Sequence, residues 1–196
     1  MSIFVKDTFT DTDNTLLENH TGETGATWTK HTATGTGSAQ ITNANRLQSG
    51  TANSVIYTAS GTPASAVYTV EVIFRMLTDI NDVGCVCGRI ASTSVANGYI
   101  SYAYGGIQYY LSRLDSGVET VLAQVNEIYN TAQDYRLTLH LTDSQKRMSI
   151  NSIEKLTSAD NTYTAAGLAG VLFNLAAGSD TTGTHLDNFV ASEGMP

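Results

Sequence analysis

The sequence predicts an all-β sandwich or jelly roll made of two antiparallel sheets. Short segments in which apolar and polar residues alternate recur along the chain, and this pattern is typical of strands with one buried face. Turn-forming stretches such as "YGG", "DSG" and "TDSQ" separate these segments. No convincing amphipathic helix of ten or more residues occurs. Many strands with almost no helix favour a sandwich or jelly roll.

The two longest alternating segments predict the core. Residues 68–76, "YTVEVIFRM", and residues 134–143, "DYRLTLHLTD", each alternate between an apolar face and a polar face. We expect the following apolar side chains to lie between the two sheets: Val70, Val72, Phe74, Leu137, Leu139, Leu141 and Phe173.

Eight further segments are candidate strands, since each is short, rich in β-formers and bounded by turn residues. They are "SVIYTA", "GCVCGRIA", "GYISYAY", "IQYYLSRL", "ETVLAQV", "RMSIN", "GVLFNLA" and "HLDNFVA". Residues 157–167, "TSADNTYTAAG", leave room for one short turn at most.

Length and charge exclude several classes of protein. The 196 residues are about the length of one domain, and we expect residues 1–196 to form one. The net charge is −8 and the pI is near 4.7, which argues against nucleic acid or an anionic membrane as a partner. No stretch resembles a transmembrane span or a signal peptide, so we expect no export by the usual secretory route.

Cys85 and Cys87 are the two cysteines of the chain, and they lie two residues apart in a predicted strand. Residues at that spacing point to the same face, so a disulfide between them would require a bent backbone. No Cys or His lies at the spacing of a zinc finger. We therefore interpret both as small core or inter-sheet residues.

The two ends of the sequence resemble a known fold family. The opening "DTFTDTDNTLLENHTGETGATW" carries Asp7, Phe9, Leu17, His20, Gly25 and Trp28, and the end carries Asp187, Asn188 and Phe189. This spacing resembles the concanavalin A-like lectin/glucanase jelly roll, of the laminin-G-like kind found in bacterial and phage proteins. The resemblance implies a sandwich of two antiparallel sheets whose first and last strands are adjacent. It says little about activity, because this fold serves lectins, glycosidases, adhesins and virion parts.

Two interpretations remain open for the acidic opening. Asp11 and Asp13 match the start of an EF-hand loop, but Thr15 and Leu16 break that motif. Short acidic and amide side chains also bond their own backbone in turns, and this is the interpretation we favour for Asp11, Asp13 and Asn14. We expect His20 and Trp28 to pack near a sheet edge with the indole N–H hydrogen-bonded.

The resemblance also implies a candidate metal site, although no cofactor is required. Some members of the superfamily hold a structural calcium between the first strand and an aspartate of the last. In this chain the corresponding residues would be Asp7 and Asp187. The alternative is that Asp187 joins the chain ends by hydrogen bonds alone.

Catalysis is not predicted. Glucanases of this fold carry two or three carboxylates at alternate positions of one strand, which places a nucleophile and an acid/base side by side. The strand "YTVEVIFRM" offers only Glu71. No G-x-S-x-G and no nucleotide-binding glycine motif occurs. We predict a protein that is not an enzyme, with a carbohydrate-active hydrolase or lyase as the alternative.

Clustered tyrosines indicate a candidate binding site. The stretch 98–114 holds five of the ten tyrosines of the chain. Sugar rings stack on aromatic rings, and tyrosine adds a hydroxyl for hydrogen bonding. The candidate glycan-binding residues are Tyr102, Tyr104, Tyr110, Ser112 and Arg113, with Gln108 as a further polar neighbour. The competing interpretation is that the tyrosines only stabilise the sheet through cross-strand pairs.

A third hypothesis is a virion-surface or tail-associated module. Only 14% of the residues are charged, against roughly 25% in ordinary soluble domains. A surface rich in Thr, Ser, Asn and Gly suits a virion or the extracellular space, and a phage protein needs no signal peptide because lysis releases it. The expected partners are a cell-surface glycan, other virion proteins or further copies of the chain.

Overall fold

Fifteen strands and one 3-10 helix make up the computed structural model, which describes residues 2–32, 35–77, 83–174 and 177–194. The strands are β1 Ile3–Asp7, β2 Trp28–Lys30, β3 Ala39–Ile41, β4 Leu47–Ser49, β5 Val55–Ala59, β6 Tyr68–Met76, β7 Val83–Ile90, β8 Gly98–Tyr104, β9 Gln108–Asp115, β10 Val118–Asn126, β11 Tyr135–Leu141, β12 Lys146–Ile150, β13 Ile153–Ser158, β14 Leu168–Asn174 and β15 Thr184–Glu193. The 3-10 helix covers Leu17–Asn19.

The strands form two antiparallel sheets, as predicted. One sheet has eight strands in the order β13-β12-β11-β6-β15-β4-β3, with β1 also paired to β15. The other has seven strands in the order β10-β9-β8-β7-β14-β5-β2. Neighbouring strands along the chain alternate between the sheets at several points, which is the crossover pattern of a jelly roll rather than of a simple meander.

The first and last strands are adjacent, which confirms the expectation from the sequence. Val5 of β1 pairs with Ala191 of β15, and Asp7 pairs with Phe189. The strand β15 also pairs with β6 along most of its length, so the end of the chain lies in the interior of the eight-stranded sheet.

The core lies between the sheets, and every residue predicted for it is buried there. Phe74 of β6 and Leu139 of β11 are at most 1% exposed, and Phe173 of β14 is fully buried in the facing sheet. The period-two pattern predicted these positions because alternate residues of a strand point to the same face. A second apolar cluster covers the opposite face of the seven-stranded sheet.

Several short elements are not predicted by the pattern of the sequence. The strands β2, β3 and β4 have three residues each, which is too short to display a period. The strand β13 is mostly exposed on both faces, so it lacks the apolar alternation that identifies a strand.

One predicted strand falls partly outside the described residues: the last two residues of "GVLFNLA". Within the described residues, no helix is long and apolar enough to cross a membrane.

Candidate functional site

A groove of about 780 Å³ runs over the outer face of the seven-stranded sheet. On β9, Tyr109 and Leu111 point into the core between the sheets, so the alternate residues Tyr110 and Leu114 face outward into the groove. The floor of the groove is apolar and comes from five strands: Ile56, Val83, Cys85, Ile100, Leu114 and Leu172. Concave apolar surfaces with a few polar groups are the usual form of a ligand site.

A tight turn between β8 and β9 places the tyrosines. Gly105 and Gly106 have φ angles of 66° and 71°, and the N–H of Ile107 donates to the carbonyl of Tyr104 at 3.3 Å. Two consecutive residues with positive φ are the requirement of a type I′ hairpin turn, and glycine meets it without strain. The resulting register sets Tyr102 opposite Tyr110 and Tyr104 opposite Gln108.

Three of the predicted site residues come together in the groove: Tyr102, Tyr104 and Tyr110. The rings of Tyr102 and Tyr110 stack with their centroids 4.9 Å apart and their planes 12° apart. Tyr102 is only 9% exposed, whereas Tyr104 and Tyr110 are half-buried. A ligand can therefore reach Tyr104 and Tyr110, and Tyr102 supports the ring of Tyr110 from one side.

Hydrogen bonds fix two of these rings. The hydroxyl of Tyr102 donates to Glu119 Oε1 at 2.7 Å, and the hydroxyl of Tyr110 donates to Gln108 Oε1 at 2.7 Å. Burial and the Glu119 carboxylate both raise the pKa of Tyr102, so this hydroxyl stays protonated and keeps its bond. Within the described residues the Tyr104 hydroxyl has no protein partner, which leaves it available to a ligand.

Ser112 and Arg113, the other two predicted residues, do not line the groove. Ser112 faces the same side as Tyr110 but is fully buried, opposite Val121 of β10. Arg113 points to the other face because adjacent strand residues alternate. Its guanidinium lies 3.0 Å from an oxygen of Asp115 and 2.5 Å from an oxygen of Asp160. Polar groups of the groove instead include Glu119 at its β10 end and Ser54 and Asn174 at its β5 and β14 end.

No local sequence pattern indicated those three residues. Glu119 is the second residue of the edge strand β10, Ser54 precedes β5, and Asn174 ends β14. All three line one groove only because the sheet order places these strands in one sheet, with Glu119 at the β10 end and Ser54 and Asn174 at the other end. Ser54 donates a hydrogen bond to Asn174, which joins the start of β5 to the end of β14.

The thiols of Cys85 and Cys87 are both buried, and both point to the groove side of β7. The prediction that both are buried on one face is confirmed, but their expected location between the sheets is wrong, because they lie on the outer face of the seven-stranded sheet, under the groove. Burial raises the pKa of Cys87, so its thiol stays protonated and is a poor nucleophile.

Asp7, a candidate calcium ligand, instead accepts hydrogen bonds from three protein donors. Its carboxylate is fully buried and accepts from the Trp28 indole N–H at 2.6 Å and from the Phe9 backbone N–H at 2.6 Å. His20 Nε2 lies 3.0 Å from the same carboxylate, and His20 Nδ1 lies 2.9 Å from Asp11. The expected hydrogen bond of Trp28, on the edge strand β2, is thus confirmed.

Asp187, the second candidate ligand, lies apart from this network. It accepts a bond from the backbone N–H of Asn188 at 2.7 Å and is 3.9 Å from Arg46. Burial raises the pKa of Asp187. In the described part of the chain no group of three or more His, Cys, Asp or Glu side chains is arranged to hold a metal ion. A calcium held by Asp7 and Asp187 stays a prediction, since the contacts assign Asp7 another role.

The described lining of the groove contains a single carboxylate, Glu119. Glycoside hydrolysis by the usual mechanisms requires two, about 5–5.5 Å apart for retention or about 6.5–9.5 Å for inversion. His140 lies on the outer face of the opposite sheet, where its Nε2 is 3.1 Å from the Ser149 hydroxyl. The groove as described can bind and orient a ligand but lacks a paired acid and base.

The fold is similar to that of solved carbohydrate-active and lectin-like proteins. No protein-family model matches the chain, and no curated protein matches its sequence. A carbohydrate-binding module, CBM66 from Bacillus subtilis, matches with a TM-score of 0.68 at 15% identity, over 85% of this chain and 95% of that chain. A B. subtilis protein of unknown function with a galectin-like fold gives 0.66 at 11% identity, over 98% and 96%.

A β-glucanase from Bacillus licheniformis matches with a TM-score of 0.64 at 12% identity, over 100% of this chain and 99% of that chain. Identities this low establish the fold alone, and the fold is the one that the two ends of the sequence resemble. Because binding modules and an enzyme share it, the choice between those functions depends on the residues of the groove.

Proposed function

We propose that this chain, which has the concanavalin A-like lectin/glucanase jelly-roll fold, is a non-enzymatic glycan-binding module whose site is the groove over its seven-stranded sheet. The observation that supports this most directly is the pair of reachable rings, Tyr104 and Tyr110, in a groove that carries Glu119 at one end and Ser54 and Asn174 at the other. The C–H faces of a sugar pack on such rings while its hydroxyls bond polar groups of the lining.

The apolar floor supports a ligand rather than a purely structural role. A soluble protein rarely leaves a concave patch of aliphatic and aromatic side chains open to water unless something covers it. The competing interpretation, that the tyrosines only stabilise the sheet, explains Tyr102, which is buried and bonded to Glu119, and its cross-strand stack on Tyr110. It does not account for the reachable ring of Tyr104, whose hydroxyl has no partner among the described residues.

The β-glucanase match favours one alternative, a carbohydrate-active enzyme. The single carboxylate of the described lining argues against hydrolysis by a pair of carboxylates. Incubating the protein with polysaccharides and measuring new reducing ends, or new unsaturated ends, separates the two: release of either product would establish the enzyme.

The test of the binding site compares Tyr110→Ala with wild type on a glycan array, followed by titration of any glycan bound. Loss of one stacking ring should weaken binding by about 0.5–1.5 kcal/mol, or roughly 2- to 13-fold. The melting temperature should change little, because the ring is half-buried and lies outside the main core.

A matched control is Arg136→Ala, which alters an exposed side chain on the opposite sheet. It should leave glycan binding unchanged. If wild type binds no glycan, or if Tyr110→Ala unfolds the protein, the glycan site in this groove is refuted.

We further propose, from the weakly charged composition, that the module acts on a virion surface or outside the cell, with other virion proteins or copies of itself as partners. Detection of the protein in purified phage particles or in a culture supernatant supports this location. Its confinement to the cytoplasmic fraction of intact cells contradicts it.

A further inference from the structure

We infer that the groove takes an uncharged oligosaccharide chain of several units and discriminates against acidic glycans, with Glu119 as the residue that sets this preference. The inference rests on the proposed glycan-binding function and specifies the class of glycan.

The first argument is that no basic residue lines the groove. The chain has ten lysines and arginines and four histidines, all of them among the described residues, and none lines the groove. Proteins recognise carboxylate, sulfate and phosphate groups through paired hydrogen bonds and charge from such residues, above all arginine. A groove without any of them has no means of compensating the charge of an acidic sugar.

The cations are held elsewhere by the fold itself. Arg75 and Arg46 share Asp134, at 2.8 and 3.1 Å, and Lys155 binds Glu127 at 2.7 Å. Arg89 is fully buried and donates to the backbone carbonyls of three separate loops. These pairings would have to break before any of these side chains could turn toward a ligand.

The second argument is the charge that the groove does carry. Glu119 is exposed at the start of β10 and is the one charged residue of the described lining. Its Oε1 accepts the Tyr102 hydroxyl, while Oε2 has no partner among the described residues. The carboxylate can therefore accept a hydroxyl of a neutral sugar, and it repels a carboxylate or sulfate at the same position. At about 4 Å in water this repulsion weakens binding about fivefold.

The third argument concerns length. The groove extends from Ile56 on β5 to Glu119 on β10, across six neighbouring strands. Five inter-strand spacings of roughly 4.8 Å amount to about 24 Å. A single sugar ring would cover only part of this floor, so a chain lying across the strands is the occupant that the shape fits.

The experiment measures affinity for two matched sets of ligands at low ionic strength. The neutral set contains cellohexaose, maltohexaose and mannohexaose with their monosaccharides, and the acidic set contains hexagalacturonate and a sulfated hexasaccharide. A glycan array with both classes extends the choice. We expect binding in the neutral set, stronger for hexasaccharides than for monosaccharides, and at least fivefold weaker binding in the acidic set.

The decisive variant is Glu119→Gln, which removes the charge but keeps an acceptor for the Tyr102 hydroxyl. Binding of acidic chains should strengthen about fivefold, and this gain should shrink as salt is added. Binding of neutral chains should change less than twofold. The control is Glu71→Gln on the outer face of the other sheet, which alters the net charge equally and should leave the ratio of acidic to neutral binding unchanged.

Each outcome has one meaning. Acidic chains that bind as tightly as neutral ones, or a ratio that Glu71→Gln shifts as much as Glu119→Gln, overturn the role of Glu119 and leave glycan binding standing. Monosaccharides that bind as tightly as hexasaccharides overturn the chain-length inference. Absence of binding to every neutral and acidic glycan refutes the proposed function itself.

Discussion

At the scale of single residues, the acidic opening of the sequence is explained by one buried carboxylate. Asp7 accepts bonds from Trp28, from the backbone of Phe9 and from His20, and His20 continues to Asp11. Trp28 also packs edge-on against Phe189 of the last strand, with ring centroids 5.1 Å apart. The motif thus contacts the last strand through Trp28, and its polar side chains hydrogen-bond to one another.

His20 gives the stability of this network a pH dependence. Burial alone would lower the pKa of His20, but the hydrogen bond with Asp11 and the charge of Asp7 outweigh it and raise that pKa above 6.5. Because the folded pKa is raised, the stabilisation is fully present below pH 6.5 and is lost as the pH rises through the folded value. The difference in unfolding free energy between wild type and His20→Gln should therefore be larger near pH 5.5 than near pH 9.

The control for His20 is Asp11→Asn, which removes one of its two acidic partners and should reduce the pH dependence. A free-energy difference that stays constant over this range would show that His20 does not titrate as a charged partner. Denaturant melts at matched ionic strength provide the measurement.

Asp7 and Asp187 lead to a second prediction about metal. Since the oxygens of Asp7 are occupied by protein donors, neither a chelator nor added calcium should move the melting temperature. The measurement is a thermal melt with EDTA, then with excess calcium and, as a control, magnesium. A calcium-specific rise that Asp187→Asn abolishes would restore the cation site.

The residue scale is also where prediction from sequence was least secure. Tyr104 and Tyr110 could be found because tyrosines cluster in one hairpin. Arg113 was assigned to the same site by proximity, yet it lies on the opposite face because adjacent strand positions alternate. Glu119 carried no signal, since its relation to Tyr102 depends on the pairing of β10 with β9.

At the scale of elements, the length of a strand decides whether its sequence reveals it. The strands β6 and β11 have nine and seven residues, show a clear period of two, and pair in register with each other. The three-residue strands β2, β3 and β4 are strands because neighbours pair with them. Their position depends on tertiary structure, so no local pattern could predict them.

A substitution of Phe74 measures how much the inward face of β6 contributes to the stability of the core. Its ring is 1% exposed and lies 5.4 Å from the ring of Tyr135, with the two nearly parallel. Phe74→Ala should lower the unfolding free energy by about 3–5 kcal/mol, because the cavity cannot close between two sheets. The control is Ile73→Ala, whose side chain points to the outer face of the same strand and is half-buried, so its loss should be smaller. Equal losses in a denaturant titration would contradict the assignment of the two faces.

At the scale of the whole molecule, the seven-stranded sheet has apolar layers on both faces. One belongs to the core between the sheets, and the other forms the floor of the groove. The overall sandwich follows from the alternation of the long strands. The groove does not, because its lining comes from residues as distant in the chain as Ile56, Glu119 and Leu172.

Cys85 and Cys87 lie in the apolar layer under the groove, so the reactivity of their thiols tests whether that layer is closed to solvent. Both are fully buried, and burial raises the pKa of Cys87, so a disulfide reagent should not modify either thiol in the native protein near neutral pH. After denaturation both should react, which provides the control for reagent and concentration. Rapid modification of one thiol in the native state would mean that the floor of the groove opens to solvent.

The pairing of β1 with β15 places the first and last strands of the fold side by side. The backbone N–H of Glu193 donates to the carbonyl of Ser2 at 2.8 Å, so the polypeptide enters and leaves the sandwich at one place. That place lies in the eight-stranded sheet, whereas the strands that carry Tyr104 and Tyr110 belong to the other sheet. A short linker could therefore close the chain into a ring, or the domain could be spliced into a surface loop of a host protein, with little distortion at the junction.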